Sequence, residues 1–243
     1  MQGTDQTTCA KMTHNPAVGR QVWQSVLPPL PSLKRSVRAR GWRSLSLIGR
    51  EPPVTFRNPR PTPKPAPPMI AARSVRPAPS EYADFYKGYV ARVPEGDIVA
   101  SLRDGQDRMK ETLGTLPESI GDHRYAEGKW TVRTLIGHMI DAERIFSYRA
   151  LRIARGDATP LPSFDENAFA ATAESDERRV AELVAELLAV RDSTTRLFAS
   201  LPEAAWTRTG TASNAAVSVR AIAYITAGHA LHHLSILKDR YDV

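Results

Sequence analysis

The 243-residue chain lacks several common features, and each absence excludes something. It has one cysteine, Cys9, so no intramolecular disulfide is possible and a reducing, cytoplasmic setting is expected. No stretch approaches the ~20 consecutive apolar residues of a transmembrane helix, so no membrane span is expected. The start, MQGTDQTTCAKMTHNPAVGRQVW, has no apolar run of the kind that makes a secretory signal. There is no G-x-G-x-x-G and no P-loop, which removes the familiar phosphate-cradling motifs. Acidic residues are scarce at one end only. Residues 1–80 carry 13 Lys plus Arg against two acids, Asp5 and Glu51, a net +11. Residues 81–243 carry 20 against 24, a net −4.

The formal charge of +7 therefore does not describe the whole chain, and a nucleic-acid partner is not expected for the acidic part. Proline divides at the same place, with 14 of 19 before Ser80. The run Asn58-Pro59-Arg60-Pro61-Thr62-Pro63-Lys64-Pro65-Ala66-Pro67-Pro68 cannot be helix or central strand, because proline lacks the N–H and fixes φ. The expected organisation is a disordered, basic, Pro/Arg-rich extension over 1–75 and one folded domain over 76–243. The extension is read as a dispensable tail or as an arm that recruits a partner.

From Glu95 onward the apolar residues recur at helical spacing. Glu95–Leu116 carries Ile98, Leu102, Met109 and Leu113, with Pro117 as its stop. Thr131–Gly156 is a second helix, ended by Gly156. Asp176–Leu201 is a third, ended by Pro202, and Ser218–Tyr241 a fourth, with Ser218 placed to cap it. No segment alternates as a strand does. The expected fold is all-α: a four-helix bundle with a long crossover, 157–175, between its second and third helices.

Histidines stand inside two of these helices. His229 and His233 in Gly228-His229-Ala230-Leu231-His232-His233-Leu234 lie about 40° apart on the wheel, on the apolar stripe with Ile222, Thr226 and Ile236. His232 falls about 60° to the other side of His229. His138 sits mid-stripe on the second helix with Leu135, Ala142 and Ile145. Two imidazoles one turn apart and a third from a facing helix can converge on one Zn²⁺, Ni²⁺, Cu²⁺ or Fe²⁺, leaving a position for water or substrate. The alternative is a set of hydrogen-bonded core histidines, each of which would need its own polar partner. A zinc-protease site would need Glu directly after His229, where Ala230 stands. A di-iron site would need Glu ligands beside these histidines, and the fourth helix has none there.

Three segments carry a resemblance. They are Arg124-Tyr125-Ala126-Glu127-Gly128-Lys129-Trp130-Thr131-Val132, Gly137-His138-Met139-Ile140-Asp141-Ala142-Glu143-Arg144 and Ala227-Gly228-His229-Ala230-Leu231-His232-His233-Leu234. In their order and spacing they resemble the DinB-like (DinB/YfiT-like) family of metal-binding four-helix bundles, over about 76–241. The resemblance implies metal ligands at His138, His229 and His233, with His232 as a neighbour. It implies one of two chemistries on a small-molecule substrate: metal-dependent transfer of a low-molecular-weight thiol, or metal-dependent hydrolysis. Zn²⁺ or Ni²⁺ is the expected ion. His232, Arg149 and Tyr148 are the expected pocket residues, Arg149 as a counter-charge for an anionic substrate. Trp130 and Trp206 are expected to pack at helix starts. A homodimer is left open. The rival readings are a metal-binding bundle without catalysis, in which the ion staples two helices, and an interaction module.

Overall fold

A computed structural model of the chain describes residues 71–243, and the expectations for the basic extension up to residue 70 lie outside the described residues. The described residues form six α-helices: α1 Lys87–Arg92, α2 Ile98–Leu113, α3 Val132–Ala154, α4 Glu166–Thr172, α5 Val180–Ala199 and α6 Val219–Tyr241. Four of them, α2, α3, α5 and α6, form the bundle that the periodicity predicts.

Local chemistry sets where these helices begin. The Asp97 side chain accepts from the Val99 amide, Thr131 from Thr134, and Ser218 from Ala221, each meeting one orphan N–H of a first turn. Helix α5 starts at Val180 rather than near Asp176, because Ser175–Glu177 makes a 3₁₀ turn first. Its N-cap, Arg179, has no capping side chain, and the Glu118 carboxylate accepts from the Val180 amide instead, at 3.0 Å. Gly156, just past α3, has φ of +82°, which glycine adopts without steric cost.

The order of packing is less obvious than the helices themselves. Helix α3 packs against α5 and α6, and α2 packs against the same two. Helices consecutive in sequence, α2 with α3 and α5 with α6, therefore face one another across the bundle. This order places α3 beside α6. The crossover is not bare: it holds α4, capped by Asp165.

Among the described residues, extended backbone pairs at one hairpin, whose Ala212 also bridges to Leu161 of the crossover. Thr209–Ala212 (β1) and Ala215–Ser218 (β2) form a two-stranded antiparallel hairpin, with Ala212 paired to Ala215. Its two-residue turn, Ser213-Asn214, has φ of +52° and +62°, the geometry that suits the twist of a tight hairpin.

Apolar packing forms two clusters. One takes Leu102 of α2, Ala142 and Phe146 of α3, Phe198 of α5 and Ala227 of α6; the other takes Met109, Met139, Leu187 and Leu234. Polar side chains are buried among them: Glu143 of α3, Arg191 of α5, and the histidines of α3 and α6. Residues 71–97 run along the outside as a strap. The Arg76 guanidinium donates to the carbonyls of Val90 and Val93, and Glu81 accepts from the Ser218 hydroxyl and from Arg220. Within the same segment Ala72–Ser74 makes a 3₁₀ turn and Arg73 pairs with Asp97 at 3.0 Å.

Candidate metal centre

His138 comes from the α3 stripe and His229 and His233 from α6. Because the two helices are packed side by side, residues 91 positions apart meet. The Nε2 atoms of His138 and His229 are 3.1 Å apart, and those of His233 and His229 are also 3.1 Å apart. All three side chains are buried, at 6%, 6% and 7% exposure. One nitrogen from each lies within 4.8 Å of the others, and no carboxylate or thiol joins that group among the described residues.

Hydrogen bonding alone does not account for this arrangement. A neutral imidazole offers one N–H and one lone pair, on different nitrogens. His229 Nε2 faces two neighbours at once, and a single proton or lone pair serves only one of them well. A cation at the centre would satisfy all three nitrogens together. The spacing fits such an ion, because ligands at about 2.0–2.1 Å in a tetrahedron stand about 3.3 Å apart.

The protonation state fits as well. Burial, and then the neighbouring His232, lowers the His138 pKa to about 4. Burial, followed by the surrounding histidines, holds His229 and His233 well below the ordinary value of about 6.5. Arg191 adds a smaller lowering at His229. Neutral nitrogens are what a metal ion requires, since a protonated imidazole has no lone pair to give. His233 Nδ1 is buried without a hydrogen-bond partner.

Aromatic rings surround the cluster. Trp130 lies 4.9 Å from the His138 ring, centroid to centroid. Phe146 and Tyr89 stand edge-on to His229 at 5.5 and 5.4 Å. The Trp130 carbonyl accepts from the Tyr241 hydroxyl at 2.7 Å, which ties the end of α6 to the start of α3. On its outer side Trp130 lines a cleft of about 300 Å³ with Thr134, Asn167, Glu174, Ser175 and Asp176.

The other expected pocket residues separate. His232 is brought to the cluster, its ring 5.0 Å from His233 and 5.3 Å from Tyr89, and it is partly exposed. Tyr148 is not: it is 52% exposed, and its hydroxyl accepts from Arg152 one turn on. Arg149 is buried, but its guanidinium donates to the Pro162 carbonyl at 2.6 Å and the Ser213 hydroxyl at 3.0 Å, and it lies 5.8 Å from the Phe164 ring. It therefore joins α3 to the crossover and the hairpin turn. Trp206 is a packing residue, stacked on Phe198 at 5.8 Å.

The sequence reading missed two contributors. Tyr89 comes from α1, a six-residue helix too short to show periodicity. Glu143 pairs across the bundle with Arg191 through two hydrogen bonds of 2.7 Å, both side chains buried. Only a charge on the buried side of each helical wheel could have signalled that pair.

The comparisons with known proteins agree with this architecture. A protein of Oceanobacillus iheyensis, whose name provisionally assigns it metal-dependent hydrolysis, is 32% identical over 65 residues, 26% of this chain. That alignment spans 37% of the relative's own length. YfiT from Bacillus subtilis, described as a probable metal-dependent hydrolase with an unusual four-helix bundle topology, matches with a TM-score of 0.55 at 16% identity. The match covers 70% of this chain and 95% of YfiT. A mycothiol-dependent maleylpyruvate isomerase matches with a TM-score of 0.50 at 16% identity, over 57% of this chain and 58% of its own. At such identities these structures show a shared fold. The sequence model of the DinB superfamily spans residues 101–237, more than half of the chain and all three clustered histidines, and the chain belongs to that superfamily.

Proposed function

We propose that the protein is a metal-dependent enzyme acting on a small molecule, with His138, His229 and His233 holding one divalent ion, Zn²⁺ or Ni²⁺. The observation that carries this is the convergence of three buried Nε2 atoms at 3.1 Å contacts that no hydrogen-bonding scheme satisfies together. A dication held by three neutral ligands keeps its full charge and, when bound, lowers the pKa of a thiol or water at the remaining position, supplying a nucleophile near neutral pH.

The chain's own residues do the rest. The imidazoles stay unprotonated because burial disfavours their charge. Trp130, Phe146 and Tyr89 exclude water around them, which strengthens electrostatic effects at the centre. His232 stands at the partly exposed side, where a substrate would arrive. A low-molecular-weight thiol or water is the nucleophile in this reading; the mycothiol-dependent isomerase is the analogy for a thiol, and the two relatives described as hydrolases are the analogy for water. A non-catalytic staple is less well supported, because the group of possible ligands contains no acidic fourth member among the described residues.

The test is a screen of Co²⁺-loaded protein against several low-molecular-weight thiols and electrophilic acceptors. A thiolate-to-metal absorption band with one thiol, and consumption of an acceptor that His229→Ala abolishes, is the expected result. Metal uptake with no change from any thiol and no turnover of any acceptor, by thiol or by water, would leave the staple as the correct reading.

A further inference from the structure

The three imidazoles are nearly closed off, so the rings around them decide what can approach. Phe146, 6% exposed, closes the cluster from inside the bundle. The other rings in contact with it, Tyr89, Trp130 and His232, are each partly exposed, and an approach from solvent would meet them first. This approach offers flat aromatic surface. Of the buried arginines of the same core, Arg191 pairs with Glu143 through Nε and Nη2 while its Nη1 is buried without a partner, and Arg149 donates to Pro162 and Ser213 and lies against Tyr86.

Tyr89 is held in place by the backbone. A Cβ on Gly228 would lie 2.0 Å from the Tyr89 carbonyl oxygen, so α1 rests directly on α6, one residue before His229. Arg76 fixes the end of α1 through the Val90 and Val93 carbonyls. Phe85 and Tyr86 extend the aromatic surface, at 6.2 Å from Tyr89 and 6.4 Å from Phe146. Tyr89 lies before residues 101–237, the part that the superfamily's sequence model spans.

We infer that Tyr89 is a specificity-determining residue, and that with Trp130 it selects a substrate carrying a flat aromatic or conjugated group beside its metal-facing end. The inference rests on the metal reading above. Its chemistry is that ring pairs in edge-on or offset contact gain free energy beyond the area they bury.

The test uses the full chain loaded with Co²⁺, its metal content counted, and two hydroxamates that present the same chelating head. Acetohydroxamate carries a methyl group and benzohydroxamate a phenyl ring. Their dissociation constants are read from the visible spectrum and normalised to their affinities for free Co²⁺. The expected result is benzohydroxamate about tenfold tighter than acetohydroxamate on the unaltered protein and on Tyr89→Phe, with the preference falling to about threefold or less on Tyr89→Ala. Tyr89→Leu, which keeps apolar bulk without a flat ring, should also lose the preference, and it stands in if Tyr89→Ala does not fold. A preference that survives both substitutions, or none on the unaltered protein, overturns the inference. Failure to take up Co²⁺ overturns the metal reading instead, and the metal count separates the two.

Discussion

The Glu143–Arg191 pair and the His138–His229–His233 cluster are both buried in the core, and they solve the problem of buried polarity differently. The pair brings opposite charges together through two parallel hydrogen bonds of 2.7 Å, which engage both Glu143 oxygens and leave only Arg191 Nη1 without a partner. The cluster brings together three groups of one kind, two of them competing for the same His229 nitrogen at 3.1 Å. Buried polar groups need partners, and a set that cannot satisfy itself points to a partner from outside the chain. The pair therefore reads as architecture and the cluster as a site.

That contrast can be broken or sharpened experimentally. The largest expected effect falls on the pair. Arg191→Ala leaves the Glu143 carboxylate buried without its cation and should cost about 3–5 kcal/mol in denaturant unfolding, with or without metal. A loss below about 1 kcal/mol would mean that the pair does not hold this part of the core together.

The cluster should respond to metal where the pair does not. Zn²⁺ or Ni²⁺ at a hundredfold excess over its dissociation constant should stabilise the protein by about 2.7 kcal/mol, and His233→Ala should lose that gain. An equal gain in both proteins would place the ion elsewhere.

Acid should weaken the metal-free protein through the cluster. In the unfolded chain histidines take up protons near pH 6.5, whereas His138 in the folded protein does so only near about 4, and His229 and His233 also lie well below 6.5. The unfolded state then binds more protons across that window, so stability falls as pH drops from about 6.5 toward 4. Each imidazole contributes up to about 1.4 kcal/mol per pH unit. His138→Asn should flatten the slope, measured by urea midpoints between about pH 6.5 and 5. A profile already flat in the unaltered protein would show that the imidazoles are not buried neutral.

The smallest effect is expected at the rim. Tyr241→Phe removes one hydrogen bond to the Trp130 carbonyl and should cost about 1 kcal/mol while leaving metal content unchanged. A lost metal site in that variant would extend the cluster's dependence to the end of α6.

Much of this was legible in the sequence because the signals were local and periodic. Leu102, Met109 and Leu113 mark the buried face of α2, and Ser218 caps α6 where its position suggests. His138, His229 and His233 stand on apolar stripes, and the structure brings them together. The hairpin at Thr209–Ser218 escaped notice because each strand has four residues, and its turn is Ser-Asn rather than a glycine-containing pair. Tyr148 and Arg149 show the limit of wheel arguments. Tyr148 falls on the solvent side, and Arg149, although buried, is drawn to acceptors in the crossover and the hairpin turn that no helical wheel contains. Tyr89 was out of reach because its place depends on α1 resting on Gly228, a contact between segments 139 residues apart.

The central claim is that the cluster is a metal site with three particular ligands, and elemental analysis of the loaded, purified chain tests it most directly. About one ion per chain is expected in the unaltered protein and in His232→Ala, with loss of the ion in His233→Ala. Equal retention in the two variants, or no bound ion in the unaltered protein, would contradict it.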